Sequence, residues 1–326
     1  MYSAPGKLIL AGEHAVVYNQ PALAIPLMAV RAQVAVVPAA AGAGLTLHAP
    51  DLGEIWRLQA AAPLSDLAQR TLRQLELPEP DATLTLTSTI PIASGMGSGA
   101  AVGAALVRAL AGLAGRSLDA AAISALVYES ERTFHGTPSG IDNTVVAYEQ
   151  PIIFQRQADG PPTITPLQVG GPWRFVVVDS GVASHTKAVV GDLRRRWQAD
   201  PAAYAPRFAA IGALVQAIAL ALRSDSGPEL GRLLDLNHAA LVDLGVSAPE
   251  LDRLVLAARR AGAWGAKMSG AGWGGVMLAL VPAVQSEVVA AALRQAGATR
   301  LWTTELGGSE IGDRGSGIGD RDHAPS

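Results

Sequence analysis

The sequence predicts an α+β protein made of two halves, and three observations support this fold class. Its 326 residues are enough for two domains of ordinary size. Short alternating or β-branched segments, typical of strands, are mixed with longer Ala- and Leu-rich segments, typical of helices. A Pro- and Gly-rich passage over residues 159–172 connects the halves. We expect an N-terminal domain over 1–165, a C-terminal domain over 172–306 and a disordered polar tail over 307–326.

In the N-terminal half, predicted strands and helices follow one another closely. Thr and Leu alternate from residue 83, which predicts a strand over 83–90, and shorter strands are expected at 7–11 and 32–37. Helices are expected over 63–75, 99–114 and 118–135. For the last of these, Ser117 is the predicted N-cap, Asp119 lies in the first turn, and Gly136 is the predicted stop.

The C-terminal half is predicted to begin with an apolar strand at 175–179. Helical patterns follow over 204–223, 228–244 and 249–261. Strands at 266–268 and 275–280, a helix at 283–296 and a last strand at 299–304 complete the half.

The composition excludes several classes of function. A hydrophobic fraction of 49% and a charged fraction of 16% are typical of a globular protein with a large core. The net charge of −3 provides no general attraction to nucleic acid or to anionic membranes. The absence of cysteine excludes disulfides, cysteine nucleophiles and thiolate metal sites. We expect no apolar run near the roughly 18 residues of a membrane span and no signal peptide, and therefore a cytoplasmic protein.

The most informative segment is the glycine-rich stretch 91–103, between a predicted strand and a predicted helix. Gly95, Gly97 and Gly99 allow the backbone to approach a ligand closely, and the following helix offers unpaired N–H groups at its positive dipole end. This arrangement suits a phosphate chain, with the Ser98 hydroxyl as a candidate Mg²⁺ ligand. A plain glycine turn is the alternative. The stretch is not a Walker A sequence, because no Gly-Lys-Ser/Thr ends it.

The same stretch fits the looser dinucleotide-binding pattern through Gly95, Gly97 and Ala100. That pattern also requires an acidic residue at the end of the next strand, about 20 residues further on. Asp119 lies at this distance, but in the predicted first turn of a helix. A dinucleotide-dependent oxidoreductase therefore stays a competing function, although the acidic residue that the pattern requires is missing from the end of a strand.

Other polar residues have roles that the pattern leaves open. Lys7 lies in an apolar strand, where it either meets a partner or extends to the surface. Glu129 and Glu131 point in different directions on one helix, and their spacing does not choose between them. Asp142 follows a Pro-Ser-Gly turn and is either functional or a helix N-cap. Residues 267–275 form a second glycine-rich loop, and two such loops far apart in the chain favour a ligand held between domains.

Residues 4–18, 91–101 and 267–275, together with Glu131 and Asp142, resemble the ordered motifs of the GHMP kinase superfamily. This superfamily comprises galactokinases, homoserine kinases, mevalonate kinases and phosphomevalonate kinases. The resemblance implies a two-domain GHMP kinase fold, in which a ribosomal-S5-like N-terminal domain packs on a ferredoxin-like C-terminal domain. ATP and the substrate would meet in the cleft between them.

The resemblance also implies roles for single residues. Asp142 is similar to the catalytic carboxylate of the family, and Lys7 to the lysine beside it. Ser98 and Glu131 are similar to the Mg²⁺ ligands. The ATP phosphates would lie against the backbone of one loop, formed by Ser94, Gly95, Met96, Gly97, Ser98, Gly99, Ala100 and Ala101. The substrate would contact residues from three segments, namely Glu13, His14, Thr186, Ser269, Gly270 and Ala271.

Within the superfamily, residues 12–18 and 135–143 resemble the mevalonate kinase branch. This implies ATP-dependent phosphorylation of mevalonate on its 5-hydroxyl, with Mg²⁺ as cofactor, and it allows a homodimer. The sequence departs from the pattern of this branch at two places. Ser98-Gly99 stands where mevalonate kinases often have two serines, and Ser-Gly is also found at this point in related phosphomevalonate enzymes. Trp273 stands where glycine is common, and it either narrows the cleft or stiffens the loop. The alternatives are another kinase of the superfamily, such as a phosphomevalonate kinase or a mevalonate 3-kinase, and a non-catalytic metabolite sensor.

Overall fold

The computed structural model describes residues 1–92, 94–135 and 139–307, and each half of the chain is organised around one sheet. The first sheet contains β1 (Tyr2–Ala11), β2 (Pro21–Pro38), β3 (Leu45–Ala49), β4 (Glu54–Arg57), β5 (Ala82–Ser88), β6 (Ile152–Gln155) and β7 (Thr163–Pro166). Its strand order is β4-β3-β5-β2-β6-β7, with β1 paired to β2 beside this path. Only β3 and β5 pair in parallel among these strands.

Helices of the N-terminal half pack closely on this sheet and on one another. They are α1 (Pro63–Gln74), α2 (Ser98–Leu113), α3 (Ala120–His135) and α4 (Ile141–Tyr148). Helix α2 lies against β1 and β2, with α3 and α4 beside it. Its buried positions are almost all Gly or Ala near the N-terminus, and these small side chains allow a close approach to the sheet.

The second sheet is antiparallel throughout, in the order β11-β8-β10-β9, with β8 (Trp173–Asp179), β9 (Gly265–Ser269), β10 (Val276–Val281) and β11 (Arg300–Leu306). The associated helices are α5 (Thr186–Ala199), α6 (Pro201–Ala221), α7 (Gly227–Asp243), α8 (Pro249–Arg260) and α9 (Ser286–Gln295). Strand β9 packs against α7 and α8, and it also meets β1 of the first sheet. The two sheets therefore meet where β1 approaches β9, and also where β2 approaches β11.

Helix α6 corrects one expectation from the sequence. With 21 residues and a mean hydropathy of 1.4, it is long and apolar enough to cross a membrane by length and composition, although no such segment was expected. The helix packs against β1, β2 and α7. Its residues Phe208, Ile211, Val215 and Ile218 are buried.

The α+β prediction is confirmed, and several elements differ from the predicted ones. Helix α5 and strands β3, β4, β6 and β7 were not predicted, and β7 lies inside the passage 159–172 that was read as a connection. Asp119, not Ser117, caps α3, because its Oδ1 accepts a hydrogen bond of 2.7 Å from the N–H of Ala122. The predicted stop at Gly136 and the predicted tail beyond residue 307 lie outside the described residues.

Candidate active site

The first glycine-rich loop joins β5 to α2, as the sequence predicts, and it contacts β1 directly. Gly97 occupies the N-cap of α2 with φ of 77°. The N–H of Lys7 donates a 3.0 Å hydrogen bond to the carbonyl oxygen of Met96. A Cβ atom at Gly97 would lie 2.9 Å from Cγ of Lys7. Glycine at this position therefore provides both the left-handed turn and the space that the lysine side chain crosses.

Side chains of this loop mostly face inward. Met96, Ala100 and Ala101 are buried, and the buried Ser94 hydroxyl donates to the carbonyl oxygen of Pro91 at 2.8 Å. A Cβ atom at Gly95, by contrast, would meet no atom within 4 Å. The open side of the loop thus consists largely of backbone at the N-terminus of α2, which is the group of donors that phosphate oxygens require.

Lys7 and Asp142 form an ion pair beside this loop. The distance from Lys7 Nζ to Asp142 Oδ1 is 3.0 Å, and the side chains are 4% and 35% exposed. Asp142 lies in the first turn of α4, whose N-cap is Gly140 and which has no side-chain cap. The alternative that Asp142 caps the helix is therefore wrong. One face of its carboxylate is held by Lys7, and another is accessible.

The two glutamates of α3 have different surroundings. Glu129 forms an exposed ion pair with Arg132 at 2.8 Å. Glu131 points toward the start of α2, where its Oε1 lies 3.9 Å from the position of a Cβ on Gly99. Burial, and then the negative charge of Asp142, raise the pKa of the Glu131 carboxyl to about 7. Two carboxylates that repel each other beside the first glycine-rich loop form a favourable place for a cation.

Across the cleft, the turn after β1 is fixed against the second glycine-rich loop. Gly12 has φ of 97°, and a Cβ there would lie 2.4 Å from Cα of Ala22, so only glycine fits. His14 follows with φ of 61°. Its Nε2 donates to the carbonyl oxygen of Ala271 at 2.7 Å. Burial lowers the pKa of His14 to about 4, so the ring is neutral near pH 7 with its proton on Nε2.

Glu13 and Ser269 were expected near the substrate, but their side chains are engaged between the two sheets. Glu13 pairs with Lys267, and these side chains are 1% and 0% exposed. The Ser269 hydroxyl donates to the carbonyl oxygen of Ile9 at 3.0 Å and accepts from the N–H of Ile9 at 2.9 Å. Lys267 was not predicted as a site residue. Its signal was available, since a lysine inside a short apolar strand needs a partner as much as Lys7 does.

The second glycine-rich loop meets the first. A Cβ on Gly275 would lie 3.0 Å from the carbonyl oxygen of Ser94, and one on Gly270 would lie 3.8 Å from that of Gly95. The Ser184 hydroxyl donates to the carbonyl oxygen of Gly272 at 2.8 Å, which places the start of α5, with the exposed Thr186, beside the same loop. The structure therefore brings together loops that are far apart in the chain.

Trp273 is hydrogen-bonded to the connection between α7 and α8. Its N–H donates to the carbonyl oxygen of Val246 at 3.0 Å, and its indole Nε1 donates to that of Gly245 at 3.1 Å. These carbonyls belong to the connection between α7 and α8. The side chain is thus directed onto the C-terminal half, although the residue adopts a left-handed φ of 53°.

Comparisons with known proteins identify the family of this chain. The pattern for the GHMP kinases N terminal domain matches residues 64–150, and that for GHMP kinases C terminal matches residues 218–299. The mevalonate kinase of Thermococcus onnurineus is 34% identical over 92% of this chain and 94% of its own.

Solved structures show the same fold. L. major mevalonate kinase in complex with R-mevalonate superposes with a TM-score of 0.80 at 27% identity, over 94% of this chain and 96% of that one. Streptococcus pneumoniae phosphomevalonate kinase in complex with phosphomevalonate and AMPPNP has a TM-score of 0.79 at 17% identity, over 93% and 99%. The fold is thus common to enzymes with different substrates, and sequence similarity is what distinguishes them. The chain belongs to the GHMP kinase family and, within it, to the mevalonate kinase branch.

Proposed function

We propose that this chain transfers the γ-phosphate of ATP to the 5-hydroxyl of mevalonate, giving 5-phosphomevalonate. The observation that carries the proposal is the Lys7–Asp142 pair, held at 3.0 Å beside a loop of backbone donors at the start of α2. The mevalonate kinase relatives, which align over most of the chain, support mevalonate as the acceptor. A sensor that only binds its ligand would not need this pair.

Asp142 is proposed as the group that orients the attacking hydroxyl and accepts its proton. Its accessible carboxylate face is available for this contact, while Lys7 holds the other. The Lys7 ammonium would in addition stabilise the negative charge that moves with the transferring phosphoryl group. Phosphoryl transfer depends mainly on such positioning and charge stabilisation. The backbone of residues 94–101 would hold the phosphates, with the dipole of α2 adding a favourable field.

Ser98 and Glu131 are proposed to hold Mg²⁺. The residues fit this ion, because the hydroxyl oxygen of Ser98 stands at the first residue of α2 and the partly buried Glu131 carboxylate lies beside Asp142. Burial and the charge of Asp142 raise the pKa of Glu131 to about 7. No group of three or more His, Cys, Asp or Glu side chains suited to a metal occurs among the described residues. Mg²⁺ is typically held by one or two carboxylates together with substrate phosphates. When bound, the ion would neutralise charge on the phosphate oxygens.

The substrate is proposed to lie between the turn after β1 and the start of α5. His14 and Thr186 are the proposed direct contacts, and Gly270 and Ala271 would line the site with backbone. Glu13 and Ser269, whose side chains are buried, would support these contacts from behind. Domains over 1–165 and 172–306, a cytoplasmic location and a homodimer also stay predictions, and the proposed reaction needs neither nucleic acid nor a membrane.

The test is an ATP-consumption assay of the purified protein with mevalonate, phosphomevalonate, homoserine and galactose, with the product identified by phosphorus NMR. We expect activity with mevalonate and a 5-phosphate ester. A 3-phosphate would instead identify a mevalonate 3-kinase, and a diphosphate a phosphomevalonate kinase. Either result contradicts the proposed acceptor, and binding without turnover would identify a sensor.

A further inference from the structure

Lys267 is a buried cation to which neither the family resemblance nor the proposed mechanism assigns a role. Its side chain is fully buried on β9, and its Nζ donates to the Glu13 carboxylate. It also donates to the carbonyl oxygens of Met268, at 2.5 Å, and Ile9, at 3.3 Å. Because an ammonium has three donors, these partners use all of them. Lys267 is therefore not available to a ligand.

The partners of Lys267 lie on both sides of the boundary between the sheets. Ile9 and Glu13 belong to β1 and the turn after it, whereas Met268 belongs to β9. The hydroxyl of Ser269 reinforces the same contact through two hydrogen bonds to the backbone of Ile9. The cation thus joins the end of β1 to the strand that leads into the second glycine-rich loop.

The position of Glu13 in the chain relates this contact to the active site. Glu13 precedes His14, whose φ of 61° is uncommon for a residue other than glycine. The ring of His14 donates to the carbonyl oxygen of Ala271 at 2.7 Å. Lys267 and Ala271 are four residues apart, and together they hold two consecutive residues of the turn. Any shift at Glu13 would therefore move His14 relative to the loop.

Stability alone does not explain a charged pair at this place. Replacing a buried ion pair by well-packed apolar residues is often neutral or stabilising. Here the second carboxylate oxygen of Glu13 is buried and has no hydrogen-bond partner among the described residues. Burial also raises the pKa of Glu13 and lowers that of Lys267, although each partner's charge acts in the opposite direction, so burial works against both charges. What the pair provides is one defined geometry.

We infer that Lys267 is a positioning residue, whose pairing with Glu13 sets the orientation of His14 and of the second glycine-rich loop toward the substrate. The inference deepens the proposed function and rests on it, since it requires that His14 contact the acceptor alcohol. It predicts that loss of the pair affects binding on the substrate side of the cleft more than binding on the ATP side.

The experiment compares Lys267→Met, the apolar double variant Glu13→Met/Lys267→Met and wild type by melting temperature and by steady-state kinetics. Lys267→Met leaves a buried carboxylate unpaired and should lower Tm by roughly 10 °C. In the double variant, Tm should return to within about 4 °C of wild type. Its KM for mevalonate should nevertheless stay raised about tenfold or more, as expected when about 1.4 kcal/mol of binding is lost. Its KM for ATP should change by no more than about twofold.

Two controls make the result decisive. Asp235→Asn breaks another ion pair at β9, that of Arg259 Nε with Asp235 Oδ1 at 2.7 Å, and should lower Tm without changing KM for mevalonate. Lys267→Arg keeps the charge, but its planar fork cannot reproduce the three contacts. It provides the kinetic comparison if the double variant does not fold, and it should raise KM for mevalonate.

The outcomes separate this inference from the proposed function. If wild type does not phosphorylate mevalonate, the proposed function fails, and the inference fails with it. If wild type is active and the double variant recovers both Tm and KM, the pair only fills space and the inference alone is overturned. An equal rise in KM for ATP, or a normal KM for mevalonate in Lys267→Arg, would overturn it as well.

Discussion

Two lysine–carboxylate pairs in this chain have the same chemistry and different surroundings. In the Lys7–Asp142 pair, the carboxylate is 35% exposed and lies beside the first glycine-rich loop. In the Lys267–Glu13 pair, both side chains are at most 1% exposed. Both pairs connect segments that are distant in sequence. The accessible pair can exchange a contact with a substrate, whereas the enclosed pair can only hold protein groups in place.

The neighbours of each pair support this difference. Glu131 lies close enough to Asp142 for the charge of Asp142 to raise the pKa of Glu131, so the accessible pair belongs to a group of charges that a cation and phosphates would balance. Lys267 is surrounded by main-chain carbonyl oxygens. A charge network that is incomplete without ligand is typical of a functional site, and one that is saturated by backbone is typical of a structural one.

The largest effect that separates the two pairs should come from their carboxylates. Asp142→Asn should lower kcat by about a thousandfold or more, because it removes the proposed proton acceptor while keeping the shape of the side chain. Its Tm should fall less than that of Glu13→Gln, because Asp142 is 35% exposed and the asparagine oxygen can still accept a hydrogen bond from the buried Lys7. Glu13→Gln should lower Tm much more than Asp142→Asn does, and kcat much less. If Asp142→Asn instead lowers Tm and keeps kcat, the two pairs have the same structural role.

The second prediction concerns how the accessible pair acts as a unit. Lys7→Met and Asp142→Asn should each lower kcat strongly, and the double variant should lose far less than the product of the two factors. Groups that act together in one step are not additive. Rapid measurement of single turnovers for all four proteins tests this. Fully multiplicative losses would mean that Lys7 and Asp142 act independently.

The third prediction extends the comparison to Glu131. Glu131→Gln should lower kcat by about a hundredfold and raise the Mg²⁺ concentration needed for half-maximal activity. Glu129→Gln on the same helix is the matched control, because Glu129 is exposed and paired with Arg132. Titration of Mg²⁺ at fixed ATP measures both variants. Equal Mg²⁺ dependence in the two would remove Glu131 from the proposed metal site.

The sequence predicts the accessible region better than the enclosed one, and the reason is physical. The first loop was predictable because its glycines, the preceding alternation and the following Ala-rich helix are local signals. Helical spacing alone did not choose between Glu129 and Glu131, and the prediction of Glu131 came from the family resemblance. The Lys7–Asp142 pairing came from the family resemblance, because no spacing rule connects residues so far apart.

The errors in the predicted strands and helices also have physical causes. Strand β2 extends over Pro21–Pro38, yet only 32–37 was predicted, because proline normally argues against a strand interior. Helix α5 was missed because its buried residues are few, with only Val189 and Leu193 buried inside it, so it lacks a clear apolar period. Lys267 was overlooked although it stands in an apolar strand, where the same reasoning had singled out Lys7.

The fourth prediction concerns how the stability of the fold depends on pH through a buried histidine near Lys267. His238 lies on α7 next to β9. Its Nδ1 accepts from the N–H of Met268 at 3.3 Å, and its Nε2 lies 3.2 Å from Asp252. Burial, together with the cations Arg259 and Lys267, lowers the pKa of His238 to about 4 from 6.5, although Asp252 acts in the opposite direction. The folded chain therefore holds this ring neutral where the unfolded chain would protonate it.

The lowered pKa of His238 determines how stability changes with pH. Above about pH 6.5 neither state protonates His238, and its contribution to stability is complete, whereas between pH 6.5 and about 4 only the unfolded state gains the proton. Stability should thus fall with decreasing pH in this window by about 1.4 kcal/mol per pH unit from this residue. Because other groups titrate there too, the measurement is the difference in slope between wild type and His238→Gln, with the exposed His185→Gln as control. An unchanged slope in His238→Gln would contradict the lowered pKa.

The smallest effect should come from Trp273. This residue connects the second glycine-rich loop to the C-terminal half, whereas Lys267 connects β9, the strand before that loop, to β1. A neutral indole hydrogen bond of this kind contributes about 1 kcal/mol, so Trp273→Phe should lower Tm by roughly 2–4 °C and kcat by no more than about threefold. Trp273→Gly relieves the left-handed backbone but also releases the loop, since glycine gains freedom in the unfolded and the open states. If loop stiffness matters for turnover, Trp273→Gly should lower kcat more than Trp273→Phe, despite the relief of strain. Equal kcat in the two variants would mean that the hydrogen bonds from Ser184 and His14 hold the loop by themselves, and that the tryptophan contributes only to stability.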